Sequence, residues 1–152
     1  MVEFGEEPPC IEGDCVGAGA QPGRFYLTAL AFLAKGTPDD FTQMAASDRL
    51  VVRIMGLWCL TQADPTATLP LLKRRLAGQE DLTCFPSGCC GRQISEGQFV
   101  WQIIHDRNYL RLAPPEPLLS KDELEKLDRE IMDNPSLEHL HAIVKKSLPE
   151  PK

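Results

Sequence analysis

Six cysteines and three histidines carry most of the covalent and metal chemistry open to this chain, and their spacing decides which of it is available. The cysteines are Cys10, Cys15, Cys59, Cys84, Cys89 and Cys90. Their number is even and most stand in Gly- and Pro-rich stretches, a pattern that predicts disulfides and an oxidising compartment. Cys10 and Cys15 would close a small ring around the intervening Ile-Glu-Gly-Asp. Cys84 would pair with Cys89 or Cys90, and the cysteine left over would reach Cys59. Zinc held by Cys84, Cys89, Cys90 and a histidine is the competing use, but adjacent cysteines fit the usual two- to four-residue spacing badly. A cysteine nucleophile needs a basic partner. The candidates are His105, His139 and His141. His139 and His141 are two apart, on different helix faces, so they cannot chelate as an i,i+4 pair does and are read as solvated. No nucleophile elbow, phosphate loop or paired-carboxylate motif occurs, and Glu123, Glu125 and Glu130 read as a solvated helix face. No catalytic residue, metal or cofactor is expected.

The chemistry of recognition has better candidates. The stretch 84–93 is rich in turn residues and carries Phe85, Pro86, Ser87, Gly88, Arg92 and Gln93. Aromatic residues and arginine are enriched at binding hot spots, and loops positioned by a rigid scaffold often carry function. Stapling by cysteines would reduce the entropy lost on binding. Glu12 and Asp14, inside the Cys10–Cys15 ring, form a second, acidic candidate. The chain has 16 basic and 22 acidic residues, a net charge of −6. That balance argues against nucleic acid, which wants a basic face, and for a cationic partner surface. No apolar run reaches the ~20 residues of a membrane span. The opening MVEFGEEPPC lacks the apolar centre of a signal peptide. A periplasmic or secreted protein whose signal has been removed is expected, with a cytoplasmic one as the alternative.

These groups must be positioned by helices. Residues 25–44 and 52–71 repeat one pattern at an offset of 27: Phe25 falls on Val52, Leu30 on Leu57, Leu33 on Leu60, Pro38 on Pro65. Each copy is an apolar helical run, a turn with proline, and a second run, the mark of a tandem helix–turn–helix unit. The first helix spans about Arg24–Lys35 with Leu27, Leu30, Ala31 and Ala34 on its inner face, ended by Gly36 as a C′ glycine. Thr37 caps the second. The third, capped by Ser47 or Asp48, is apolar nearly all round and should be central. Leu69, Leu72 and Leu76 line the fourth. Ser95, Ser120 and Ser136 cap three more, with the 107–119 connection before the second of them. Trp58 reads as core, and Trp101 as the tryptophan nearer a surface. No strand is expected. The prediction is an all-α domain over 23–148 of about seven helices, with an irregular arm at 1–22 and a frayed tail at 149–152.

The segment from Asp48 to Leu76 resembles a HEAT-type repeat of the short bacterial kind. An acidic cap precedes Val52-Arg53 and an apolar helix; Ala63-Asp64-Pro65, Ala67, Leu69-Pro70-Leu71-Leu72 and Leu76 follow. The resemblance implies a short right-handed α-solenoid of HEAT or armadillo type that binds another protein. It also implies a structural role for Arg53, bonded to an acidic group in the adjoining turn. At the level of class the chain is similar to the immunity proteins that neutralise peptidoglycan amidases delivered by type VI secretion, which are small, helical and cysteine-bearing. That similarity implies an inhibitor that occludes a hydrolase cleft. A cytosolic HEAT-like adaptor, with metal binding as one use of its reduced cysteines, is the alternative reading, and an exposed end of a short solenoid is a candidate homodimer surface.

Overall fold

A computed structural model describes residues 9–13, 21–86 and 91–149. Among them the order is β1 (Cys10–Glu12), α1 (Arg24–Lys35), α2 (Pro38–Ala45), α3 (Leu50–Ala63), α4 (Pro65–Arg75), β2 (Asp81–Phe85), β3 (Arg92–Ser95), α5 (Glu96–His105), α6 (Lys121–Met132) and α7 (Glu138–Ser147), with a single 3₁₀ turn at Pro135–Leu137. The molecule is mostly helical, and its fold carries a three-stranded sheet.

The tandem repeat survives as two helix pairs with matching turns. Thr37 and Asp64 cap α2 and α4, and Pro38 and Pro65 begin them. The Asp40 carboxylate accepts the Thr37 N–H at 2.8 Å while Thr37 Oγ1 accepts the Asp40 N–H at 3.3 Å. Asp64 Oδ1 accepts the Ala67 N–H at 3.0 Å. Proline at the first helical position lacks only an N–H that would have no partner there. The third helix is central as expected: every residue from Arg53 to Thr61 is buried. Its Gly56 lets α2 approach, because a Cβ there would collide with Ala45 N and lie 2.7 Å from Met44 Cβ. Arg49 precedes α3 without a side-chain cap, while Ser47 Oγ accepts the Arg49 N–H at 3.2 Å.

Three local expectations are corrected. The inner face of α1 is Phe25 and Ala29, whereas Leu27, Ala31 and Ala34 face outward. A helix with apolar residues all round leaves its buried face to be chosen by the partner, here α3. Gly36 has φ −84°, ordinary extended backbone. Its missing side chain instead admits the Phe41 ring, which would stand 2.6 Å from a Cβ. Trp101 is buried rather than near a surface, since α5 is covered on several sides and its Phe99, Val100, Ile103 and Ile104 are also buried. Trp58 is core as expected, edge-on to Tyr26 at 5.7 Å and with the Arg111 guanidinium 5.3 Å from its ring centre.

The sheet overturns the expectation of no strand and an all-α fold. β2 and β3 form an antiparallel hairpin between α4 and α5, with Leu82 opposite Ile94 and Cys84 opposite Arg92. β1 pairs in parallel with β2, Ile11 opposite Cys84 and Glu12 opposite Phe85. Alternation places Leu82 and Cys84 inward, and Ile11 joins them in the common core. Part of the arm expected to be irregular is thus a strand, because β2 offers its free edge to three residues that could form no stable structure alone. No described helix is long and apolar enough to cross a membrane.

Candidate interaction site

The far end of the β2–β3 hairpin gathers four of the residues expected to bind a partner. Phe85 ends β2 and Pro86 follows it, and Arg92 and Gln93 begin β3 with both side chains exposed. Two neighbours brace this end. The Gly13 N–H donates to Phe85 O at 2.9 Å, and Gly23 N–H to Gly13 O at 2.9 Å, so β1 and the start of α1 hold β2. A Cβ at Gly13 would collide with Pro86 O and lie 2.7 Å from Leu110 O, so the arm passes between the hairpin and the segment after α5 without room to spare. On the other flank an Arg92 Nη2–H donates to Tyr109 Oη at 2.9 Å. Tyr109 in turn meets Phe99 edge-on at 6.0 Å. Buried among Cys84 and Arg92, the Tyr109 phenol is held above its ordinary pKa by burial and by the neighbouring thiol, despite the hydrogen bond from Arg92. It therefore stays a neutral acceptor.

Glu12 is half-buried in β1, and its Cβ occupies the space a side chain at Gly23 would need. Asp14, Ser87 and Gly88 lie outside the described residues, as do Cys15, Cys89 and Cys90.

The three described cysteines are free thiols, against the expected disulfides. Cys59 is fully buried inside α3 with Sγ 3.6 Å from Ala29 O. Cys84 faces the core while Cys10, one register step away, is exposed. Burial pushes the Cys59 thiol up to about 12 and that of Cys84 up to about 11. Neither is a thiolate near neutral pH, so neither is a ready nucleophile. No group of three or more potential ligands that could hold a metal ion stands together among the described residues.

Two buried charged clusters were only half visible in the sequence. Arg53 donates to Glu96 twice, Nε to Oε1 at 2.8 Å and Nη2 to Oε2 at 3.0 Å. It also reaches Glu80 at 2.7 Å and the carbonyls of Ser47 and Asp48 at 2.8 and 3.3 Å. In the adjoining turn it thus bonds backbone carbonyls, and its acidic partners come from 27 and 43 residues away. The signal for Glu96 was the lone cation in an apolar helix, which demands a buried anion somewhere.

Asp128 was hidden on the charged helix α6. It accepts Trp101 Nε1–H at 2.8 Å and Ser147 Oγ–H at 2.6 Å, and His105 Nε2 stands 3.0 Å from it. Burial raises this carboxyl, but the bonds from His105, Ser147 and Trp101 outweigh it and leave the group below the usual carboxylate range. The order is not that of a nucleophilic triad. Ser147 gives its proton to the carboxylate and not to the imidazole, so His105 does not activate it. The other histidines are not solvated as expected: His139 Nε2 lies 2.9 Å from Leu76 O and His141 Nε2 2.9 Å from Ile131 O. Both bind carbonyls at helix ends, which lack intrahelical donors.

The chain matches no family model and no curated protein.

Proposed function

We propose that the chain is a protein-binding module whose recognition element is the end of the β2–β3 hairpin, and that it inhibits a secreted, peptidoglycan-degrading amidase by entering its cleft. The bracing of that end carries the reading: β1 and Gly13 hold it on one side, and the segment after α5 holds it through the Arg92–Tyr109 bond. Strand ends held in place before binding lose less conformational entropy on docking. Phe85 and Arg92, at the two roots of the turn, supply an aromatic and a forked cation of the kind that anchor interfaces. The amidase as target extends the class-level similarity of a small, helical, cysteine-bearing chain. The polar clusters around Arg53 and Asp128 are consumed in holding helices together, which agrees with a binding role.

The test is hydrolysis of purified peptidoglycan by amidases secreted from the same cell, with and without the chain. Stoichiometric inhibition is expected. Undiminished hydrolysis together with no complex on gel filtration, across all of them, overturns the proposal.

The free thiols of Cys10, Cys59 and Cys84 favour a second reading, a cytosolic adaptor. Intact mass after alkylation without reductant separates the two compartments. Six alkylated thiols support the adaptor, and a mass lower by paired hydrogens supports the oxidising one.

A further inference from the structure

We infer that the groove between α1 and α2 is a binding site for a small amphiphilic carboxylic acid, whose apolar body lies on Ala31, Phe32 and Met44 and whose carboxylate meets Lys35. The groove has a volume of about 560 Å³, within the roughly 300–1,000 Å³ of small-molecule sites. Counting about 100° per residue, Thr28, Ala31, Phe32 and Lys35 fall within an arc of about 100° on α1, bordering the buried Phe25. Met44 of α2 lines the same groove, and its unbranched thioether can follow the shape of a ligand. The Phe32 ring is left 45% exposed. Neither β2 nor β3 contributes to this site, which stands apart from the hairpin.

The polar groups on the walls select the head group. Thr28 Oγ1–H donates to Arg24 O at 2.8 Å, so that hydroxyl is spent inside α1. One oxygen of Asp40 takes both the N–H and the hydroxyl of Thr37 at 2.8 Å, as the cap of α2. What remains is the exposed ammonium of Lys35, in the last turn of α1, and the exposed amide of Gln43. Lys35 has no ion partner among the described residues. An apolar floor with one unspent cation and one unspent amide complements a carboxylate on an apolar body.

The internal repeat shows that the hollow is not a requirement of the helix pair. At the offset of 27, Ala31 corresponds to Trp58 and Lys35 to Gln62. Trp58 is fully buried, and Gln62 Nε2–H donates to Arg107 O at 2.9 Å. The second unit carries bulk and a neutral amide, both engaged within the fold. At the same two positions the first unit carries a methyl group and an unpaired charge, while the caps and turns of the two units still match. The two units diverge where a ligand would sit.

Isothermal titration of the full chain with octanoate, an acid short enough to stay monomeric in water, tests this. The Met44 methyl signal of a methyl-labelled sample, assigned through Met44→Leu, is the local reporter. One equivalent is expected to bind with a dissociation constant of roughly 1 mM or tighter and to shift that signal. Ala31→Trp, which gives the first unit the bulk of the second, should abolish both at an unchanged circular dichroism spectrum. Octanamide, the neutral counterpart, isolates the charge. Lys35→Gln should cut the preference for octanoate over octanamide by about threefold or more, and it carries the test should Ala31→Trp lose helix. No saturable binding overturns the inference. So does binding that leaves the Met44 signal in place, survives in a folded Ala31→Trp, or keeps its preference for octanoate in Lys35→Gln.

Discussion

Replacing Arg53 with methionine removes the charge while keeping most of the buried stem. Arg53 is 3% exposed and Glu96 2%. Its loss strands a carboxylate at the first position of α5 and two carbonyls in the turn before α3. Breaking a buried pair from one side costs about 3–5 kcal/mol. At roughly 2–4 °C per kcal/mol for a chain of this size, the melting temperature falls by about 6–20 °C. Glu80 is the internal control. Its side chain is 60% exposed, so solvent screens its bond to Arg53 and Glu80→Gln costs less than about 1 kcal/mol. The decisive variant is Arg53→Met with Glu96→Gln. Removing both charges abolishes the uncompensated anion, so the double change is less costly than Arg53→Met alone despite being larger. Urea denaturation followed by circular dichroism measures the wild type, these three variants and Glu96→Gln alone, five proteins in all. A loss under about 1 kcal/mol for Arg53→Met, or a double variant as costly as the sum of its singles, refutes the reasoning.

Three further outcomes follow from the same packing. Asp128→Asn should cost on the order of 2–3 kcal/mol, because a buried carboxylate bonded to Trp101 and Ser147 gives way to an amide that cannot accept at both oxygens. The Asp128 carboxyl is depressed in the folded state, so its contribution is complete above the unfolded value of about 3.9 and is lost as pH falls through the lower folded value. The urea midpoint of the wild type should therefore drop more steeply between neutral and acid pH than that of Asp128→Asn. Gly56→Ala should destabilise by about 1–3 kcal/mol by forcing α2 from α3, seen as a lower urea midpoint at unchanged slope. Maleimide at mildly alkaline pH should label Cys10 in the native protein and leave Cys59 and Cys84 unmodified until urea is added, since their thiols are buried and titrate near 12 and 11; mass spectrometry of digests reads this directly.

The helical part of the molecule was legible because its signals are local. Thr37-Pro38, Asp64-Pro65, Ser95 and Ser120 cap helices within a few residues of themselves. The apolar circumference of α3 announced a buried helix. What remained illegible depends on distant partners. β1 is three residues whose strand exists only because β2 runs beside it, some 70 residues later. The alternation of Leu82 and Cys84 was too short to stand out among the turn residues around it. On α1 the apolar pattern permits two inner faces, and only docking on α3 selects Phe25 and Ala29. Ser136 fell within the 3₁₀ turn, where Asn134 Oδ1 accepts its N–H, so the last helix starts at Glu138 without the expected cap. The roles of His139 and Asp128 rest on contacts 63 and 27 residues away. Of the stretch expected as a binding loop, Phe85, Arg92 and Gln93 belong to paired strands, a pairing that depends on residues distant in the sequence as well as on the neighbouring strand.

The most direct measurement of the central claim is amidase inhibition by the wild type beside Arg92→Glu and Phe85→Ala, with the fold of each checked by circular dichroism. The account predicts inhibition by the wild type and at least a tenfold loss for both variants at unchanged helix content. Equal inhibition by all three contradicts the hairpin as the recognition element, and none by any of them contradicts the inhibitor.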